Sequence, residues 1–151
     1  ALPVATGASD WEAATLRRGI ARITAATAGE LLPQQLNYDL SGHINFRKGC
    51  YPGQEVVARM QYLGKLKRRM YRVHADSTPP VTGTALFSPD SASAQGAGKV
   101  VRAAPSPDGG SELLVVAEVS NAEQQTLFLE DESGPQLTLL ELPYEFEQSD
   151  K

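Results

Sequence analysis

Residues 48–64 read Lys48-Gly49-Cys50-Tyr51-Pro52-Gly53-Gln54-Glu55-Val56-Val57-Ala58-Arg59-Met60-Gln61-Tyr62-Leu63-Gly64, and the sequence pattern differs on their two sides. Pro52 suits the first turn of a helix, where its missing N–H costs nothing, and Gly64 suits a left-handed helix end. Between them, apolar side chains recur at helical spacing, at Val56, Val57, Met60 and Leu63. The segment therefore predicts a helix over 52–63.

Downstream of Gly64 the sequence breaks into short runs of strand-forming residues, separated by turns rich in Pro, Gly, Ser and Asp. Six such runs lie at 67–75, 84–87, 97–104, 112–119, 125–130 and 136–142. Strands at this spacing predict a small antiparallel barrel or sandwich.

Upstream of the quoted segment the pattern is less regular. Ser9 and Glu12 have the spacing of a capping box, and apolar residues that follow on one face predict a helix near 10–18. Farther on, glycine and proline interrupt every periodic run, and only His43–Arg47 alternates like a strand. The fold class predicted is α+β, with the boundary between the two regions near 64–67.

The composition is that of a soluble globular protein, with 41% hydrophobic and 21% charged residues in 151. No apolar run approaches the roughly 20 residues that cross a bilayer, and the first residues lack the features of a signal peptide. We therefore expect a cytoplasmic protein with no membrane partner. The single cysteine excludes an internal disulfide. Because the chain begins without methionine, we expect a fragment or a processed form.

Charge is unevenly distributed, with about +6 in residues 1–72 and about −10 in residues 73–151. This split permits either an anionic ligand or partner on the basic half, or simply a solvated basic surface. Five cations near the first strand, with Tyr62 and Tyr71, would suit a barrel that contacts single-stranded RNA. They are Lys65, Lys67, Arg68, Arg69 and Arg72. The acidity of the remaining barrel would repel phosphates, which makes direct RNA binding the less favoured interpretation.

Cys50 is the first candidate for a reactive side chain. If a helix begins at Pro52, its positive end lowers the pKa of a thiol just before it, and Lys48 adds a cation two residues away. A strand ending at 46–48, a tight turn at Gly49 and this helix would form a corner able to hold an anion or present a nucleophile.

Other site chemistries have weaker support. The only histidines, His43 and His74, cannot be placed against the cysteine from sequence, and their spacing matches no metal-ligand pattern, so we expect no metal. Glu55 and Arg59 lie four residues apart on the predicted helix. They form either a surface ion pair or part of a site.

The quoted segment resembles the signature of the YgfZ-type folate-binding proteins, which are relatives of the glycine-cleavage T-protein. Every signature position is matched, by Lys48, Gly49, Cys50, Tyr51, Gly53, Gln54, Glu55 and then Arg59. The similarity continues upstream through Arg18-Gly19-Ile20, Leu32-Pro33-Gln34 and Ile44-Asn45-Phe46, and downstream into the barrel.

The resemblance implies an accessory factor that binds tetrahydrofolate or a derivative. Such a factor supports the synthesis or repair of iron–sulfur proteins, including tRNA-modifying enzymes, which would be its partners, and it carries no cluster itself. The implied organisation is a partial T-protein-like α/β region over 1–65 and a six-stranded antiparallel β-barrel over 66–151. Family members are about twice as long as this chain, which would then be a C-terminal portion.

The resemblance also assigns roles within the segment. It makes Lys48 and Arg59 candidates for an anionic folate tail or a partner, and Gly49 and Gly53 residues that let backbone approach a ligand. It adds three ligand-binding candidates and a functional thiol of unassigned chemistry, namely Tyr51, Gln54, Glu55 and Cys50.

One position departs from the T-protein pattern. T-proteins commonly have Leu-x-Glu-Ala-Gly where this chain has Leu16-Arg17-Arg18-Gly19, so a cation replaces the carboxylate expected to help hold the pterin. T-proteins also generally lack the cysteine motif. A folate-dependent aminomethyltransferase is therefore the alternative, and an accessory protein is favoured over a self-contained enzyme.

Overall fold

Six antiparallel strands form one curled sheet in the computed structural model, which describes residues 7–49, 52, 54–63, 65–94 and 96–146. Their order across the sheet is β5-β2-β3-β4-β1-β6. The predicted number and direction of the strands are confirmed, and the sheet curls into a half-barrel. The strands are β1 (Arg68–Ala75), β2 (Ala85–Phe87), β3 (Gly98–Pro105), β4 (Ser111–Glu118), β5 (Phe128–Leu129) and β6 (Thr138–Leu140).

The central strands are covered on both faces. Leu113 and Val115 of β4 face the inside of the curl, where they join a cluster with Val73, Val100 and Leu127. The alternate residues of the same strands face outward and pack beneath the first part of the chain, in a cluster of Leu16, Ala21, Leu36, Met70, Val101, Ala104, Leu114 and Val116. This two-sided burial explains why β4 reads as a continuous apolar run.

The part of the chain that the structure describes has four short helical segments beside the sheet: α1 (Ala8–Arg17), a 3-10 helix (Pro33–Leu36), α2 (Glu55–Leu63) and α3 (Val119–Glu123). The predicted first helix is confirmed, but the capping box is wrong. Gly7 is the N-cap and makes no side-chain cap, so Ser9 lies inside the first turn. Among the described residues, none of these helices has the length and apolar character that crossing a bilayer requires.

One carboxylate, that of Glu112, ties α1 to two strands. The Arg17 guanidinium donates to Glu112 Oε1 at 2.9 Å, and the Arg72 guanidinium donates to Oε2 at 2.7 Å. Arg72 also donates to the carbonyl of Glu141, at the end of β6. Only 9% of the Glu112 side chain is exposed, so these hydrogen bonds replace its lost solvation.

Burial and hydrogen bonding act in opposite directions on the Glu112 carboxyl. Desolvation favours the neutral acid, but the hydrogen bonds from Arg17 and Arg72 outweigh it and hold the pKa of Glu112 below its ordinary value. Because the folded-state pKa is lowered, the ionised carboxylate stabilises the folded protein above the unfolded-state pKa. That stabilisation is lost as the pH falls through the folded-state pKa.

Glu112→Gln should lower the free energy of unfolding by about 2–4 kcal/mol at neutral pH, because two guanidinium groups lose their charged partner. Urea unfolding of both proteins measures the difference, and Glu130→Gln, at an exposed carboxylate, is the control. The difference should shrink as the pH falls below the ordinary pKa of a glutamate and through the lowered pKa of folded Glu112. A gap that stays constant down to low pH would contradict the pairing.

Candidate functional site

The chain approaches the motif as a turn and not as a strand. Residues 43–47 are irregular, and the N–H groups of His43 and Ile44 both donate to the Tyr38 carbonyl, at 3.0 and 3.1 Å. Both N–H groups are therefore unavailable for hydrogen bonds to a neighbouring strand. The predicted strand at His43–Arg47 is therefore wrong, and the corner that required it does not form.

Helix α2 begins at Glu55, three residues later than predicted. Pro52 lies in a turn before it, and Gln54, only 6% exposed, supplies the carbonyl that accepts the first helical N–H, from Ala58 at 3.0 Å. Glu55 occupies the first turn, where its negative charge suits the helix dipole. The helix itself is confirmed and its predicted start is wrong.

Cys50, Tyr51 and Gly53 lie outside the described residues, so their predicted roles stay predictions. The start of α2 nevertheless changes the argument about the thiol. The charge of a helix end falls off within one turn, and α2 begins at Glu55, five residues after Cys50 in the sequence. Lys48 is then the remaining reason to expect a lowered pKa for the thiol.

A buried amide holds α2 in place. Gln34, in the 3-10 helix, is fully buried, and its Nε2 donates to the Val57 carbonyl at 2.6 Å. Within the described part of the chain, Gln34 Oε1 is buried with no hydrogen-bond partner. Every described side chain of α2 is at least partly exposed. Among these described side chains, the hydrogen bond from Gln34 is therefore the specific attachment of the helix.

The same segment is bonded to the sheet. Asn37 is fully buried, and its Nδ2 donates to the Met70 carbonyl at 2.7 Å. The Arg69 guanidinium donates to the Asp39 carboxylate at 2.7 Å and to the Gln34 carbonyl at 2.9 Å. We call residues 34–39 the polar bridge, because their side chains and carbonyls connect α2 to β1.

The described motif residues present charge to solvent. Lys48, Gly49, Glu55 and Arg59 are all exposed, and of these described residues Glu55 and Arg59 form no ion pair with each other. The surface-pair interpretation is thus wrong for this geometry. The helix also exposes Val56 by 57% and Tyr62 by 70%.

An aromatic contact brings the start of the motif back to its helix. The rings of Phe46 and Tyr62 meet edge to face, with centroids 6.5 Å apart. Phe46 lies two residues before Lys48, and Arg59 lies one turn before Tyr62. The contact thus places the Lys48 segment beside the last turns of α2. We call Phe46, Lys48, Arg59 and Tyr62 the motif surface; they are two exposed cations and an aromatic pair, carried by the two segments that meet at this ring contact.

The arginines considered for RNA are largely engaged within the protein. Arg69 pairs with Asp39, Arg72 with Glu112, and Arg68 with Glu118 at 3.6 Å. Arg68 also donates to the Gly96 carbonyl at 2.5 Å. Three of the five cations that favoured a nucleic-acid surface are therefore parts of the folded structure.

Both histidines have local partners. His43 Nδ1 lies 2.7 Å from the Ser41 hydroxyl, and His74 Nε2 lies 3.2 Å from the Asp76 carboxylate. Across the described ranges, no group of three His, Cys, Asp or Glu side chains could hold a metal ion.

Sequence reasoning missed the residues that position the motif. Gln34 lies within the resemblance and follows Pro33, which starts the 3-10 helix, so a local signal existed. Nothing local marks its contact with Val57, which is 23 residues away. Likewise, the local sequence shows Arg69 only as one of a run of cations, and nothing in it marks the pairing with Asp39 across 30 residues.

Gln34→Met should release α2 without unfolding the sheet. Methionine keeps most of the volume but cannot donate to Val57, so the α2 amides should exchange with solvent at least tenfold faster. The β1 and β4 amides should be unaffected. The free energy of unfolding should change by less than about 1 kcal/mol, since the buried unpartnered oxygen is also removed.

Hydrogen exchange measured by mass spectrometry separates the two regions. Gln61→Met, at an exposed position of α2, is the matched control and should leave exchange unchanged. Unchanged α2 exchange in Gln34→Met would show that this bond does not hold the helix.

No protein-family model matches the chain. Among curated proteins, it is 37% identical over 135 residues to the tRNA-modifying protein YgfZ of Photobacterium profundum, covering 89% of this chain and 41% of that protein. It is 44% identical over 72 residues to the protein of the same name from Colwellia psychrerythraea, covering 48% of this chain and 22% of that protein.

The chain thus spans less than half of the length of the curated relatives that it matches. The identity extends well beyond the motif, because the first alignment includes most of this chain. The resemblance predicted from residues 48–59 is confirmed, and the chain is a homologue of the YgfZ proteins over part of their length.

Proposed function

We propose that this chain is part of a tetrahydrofolate-binding accessory factor that supports the synthesis or repair of iron–sulfur proteins, including tRNA-modifying enzymes. The names of its relatives support a role connected with tRNA modification. The observation that carries the proposal is the exposure of two signature cations, Lys48 and Arg59, on the segments that the Phe46–Tyr62 contact brings together. We place the protein in the cytoplasm, where such enzymes are made.

The side chains of the motif surface suit the chemistry of a folate. A folate joins a flat ring system to a glutamate tail with carboxylate groups. Lys48 and Arg59 are exposed cations, and none of the ion pairs among the described residues engages them. They would bind the tail through charge-assisted hydrogen bonds, and the exposed ring of Tyr62 offers an apolar face. The donor set therefore fits the ligand.

Gly49 supports close approach of the ligand to the backbone. It is exposed, and a Cβ added there would meet no atom within 4 Å. The space beside it is therefore open to a ligand. In this proposal Tyr51, Gly53, Gln54 and Glu55 complete the folate-binding segment, and Cys50 acts as a thiol in exchange with a partner or in a transient adduct.

Aminomethyl transfer is less well supported. Arg18 is exposed at the end of α1, so a cation stands where the T-protein pattern has a carboxylate for the pterin. RNA contact is less favoured too, because the arginines of β1 form ion pairs within the protein.

Arg59→Gln should weaken tetrahydrofolate binding by the complete natural protein by about tenfold, because one charge-assisted hydrogen bond is lost. Lys48→Gln should have a smaller effect, since the ammonium group of lysine cannot form the two parallel hydrogen bonds that a guanidinium makes to a carboxylate. Isothermal titration calorimetry measures both. The control is Lys67→Gln, which removes an exposed cation outside the motif.

Two results would contradict the proposal. Absence of tetrahydrofolate binding at high micromolar concentration would remove both folate-dependent functions. Turnover with a lipoylated carrier in a glycine-cleavage assay would instead favour the aminomethyltransferase. The accessory role itself is tested in cells that lack the protein, where activity of an iron–sulfur tRNA-modifying enzyme should fall and be restored by wild-type protein but not by Cys50→Ala.

Lys48→Gln should also slow the alkylation of Cys50 by iodoacetamide at neutral pH by a few-fold, because the cation favours the thiolate. Wild-type protein should react faster than free cysteine. Equal rates in wild type and Lys48→Gln would show that Lys48 does not activate the thiol.

A further inference from the structure

A second site, separate from the motif, lies between α1 and β3. It is an open pocket of about 240 Å³. At its base is Arg102 of β3, which is only 9% exposed. Trp11, 63% exposed, stands at its rim. The lining residues are Trp11, Thr15, Ile20, Ala21, Arg22 and Arg102.

An irregularity in β3 turns Arg102 toward this pocket. The register with β4 shifts between Val100 and Arg102, so Val101 is an extra residue in the strand. Val101 packs in the outer cluster with α1, and the next side chain, Arg102, also reaches the chain after α1, donating to the Ile20 carbonyl. Val101 and Arg102 are consecutive, yet both side chains lie on the face of β3 that packs against α1, as a β-bulge allows.

The Arg102 guanidinium has few partners for a buried charge. Its hydrogen bond to Ile20 is long, at 3.5 Å, and no ion pair of Arg102 is found among the described residues. The pKa of Arg102 is lowered, mainly by burial and further by Arg22, although Glu12 acts in the opposite direction. A guanidinium carries five N–H donors, and those of Arg102 that face the open pocket are available to an oxyanion.

Arg22 adds a second cation at the mouth of the pocket. Its side chain is 68% exposed and lies 3.9 Å from the Glu12 carboxylate, which is too far for a hydrogen bond. Two positive groups therefore converge on a space bordered by an exposed indole. Glu12 acts on both cations, and it competes with any incoming anion.

We infer that this pocket binds a small anionic aromatic ligand, with its carboxylate or phosphate on Arg102 and Arg22 and its ring against Trp11. The planar fork of arginine matches either oxyanion, and the exposed indole offers a flat apolar face for a ring. The site uses α1 and β3, so it does not depend on folate binding at the motif surface.

Trp11 lines the pocket, and a ligand-induced fluorescence change of the complete natural protein is assigned to Trp11 by its loss in Trp11→Phe. Benzoate and phenyl phosphate should each give a saturable change in Trp11 fluorescence, and their relative affinities show which oxyanion the site prefers. Benzamide, which has the ring without the charge, should bind at least tenfold more weakly than the better anion.

Four variants test the assignment. Arg102→Gln should weaken anion binding by about tenfold or more, and Arg22→Gln by about threefold, since Arg22 is more exposed. Glu12→Gln should tighten binding, because it removes the competing carboxylate. Arg18→Gln, at an exposed arginine outside the pocket lining, should leave the affinity unchanged.

Because Arg22 and Glu12 are exposed, their variants should fold and can be tested even if the Arg102 variant is unstable. Lack of a saturable signal with either anion, or equal binding of benzamide, would overturn the inference. So would an unchanged affinity in both Arg22→Gln and Glu12→Gln. These outcomes are independent of folate binding, which is measured with variants of Lys48 and Arg59.

Discussion

Burial of both faces of β1, β3 and β4 is the constraint on which the rest of this structure depends. The inner face is covered by the curl of the sheet itself, but the outer face carries Met70, Leu114 and Val116, which must also leave water. Helix α1 and the 3-10 helix supply that cover. Their positions are thus consequences of the sheet, because apolar surface on a central strand is costly to expose.

Polar groups then determine how the covering layer is oriented. An apolar contact tolerates sliding, whereas a buried amide or carboxylate is stable only when its partners are correctly placed. Glu112 sets α1 against β1 and β4 in this way. The polar bridge does the same for α2, with Asn37 and Asp39 bonded to β1 and Gln34 bonded to Val57. The signature motif is thereby carried by a helix whose own apolar contacts are modest.

The local sequence predicted strands correctly where strand-forming residues lie between clear turn residues. All six predicted strands match observed strands within a few residues, because each is a run of strand-forming residues between strong turn residues. The wrong predictions lie where the backbone hydrogen bonds differ from those of the predicted strand or helix. His43–Arg47 alternates like a strand, yet its donors return to Tyr38. Pro52 could have opened a helix, but the buried Gln54 precedes its first turn, so α2 begins at Glu55.

By itself, the sequence determined the strand pattern and the homology carried by the 48–59 motif. Only the tertiary structure decided which charges are partners and which face the solvent. Arg17 meets Glu112 across 95 residues, and Arg102 reaches Ile20 across 82. Arginine and glutamate have the same local pattern whether exposed or buried. Their roles therefore depend on which distant segment covers them, and that is a property of packing and not of local sequence.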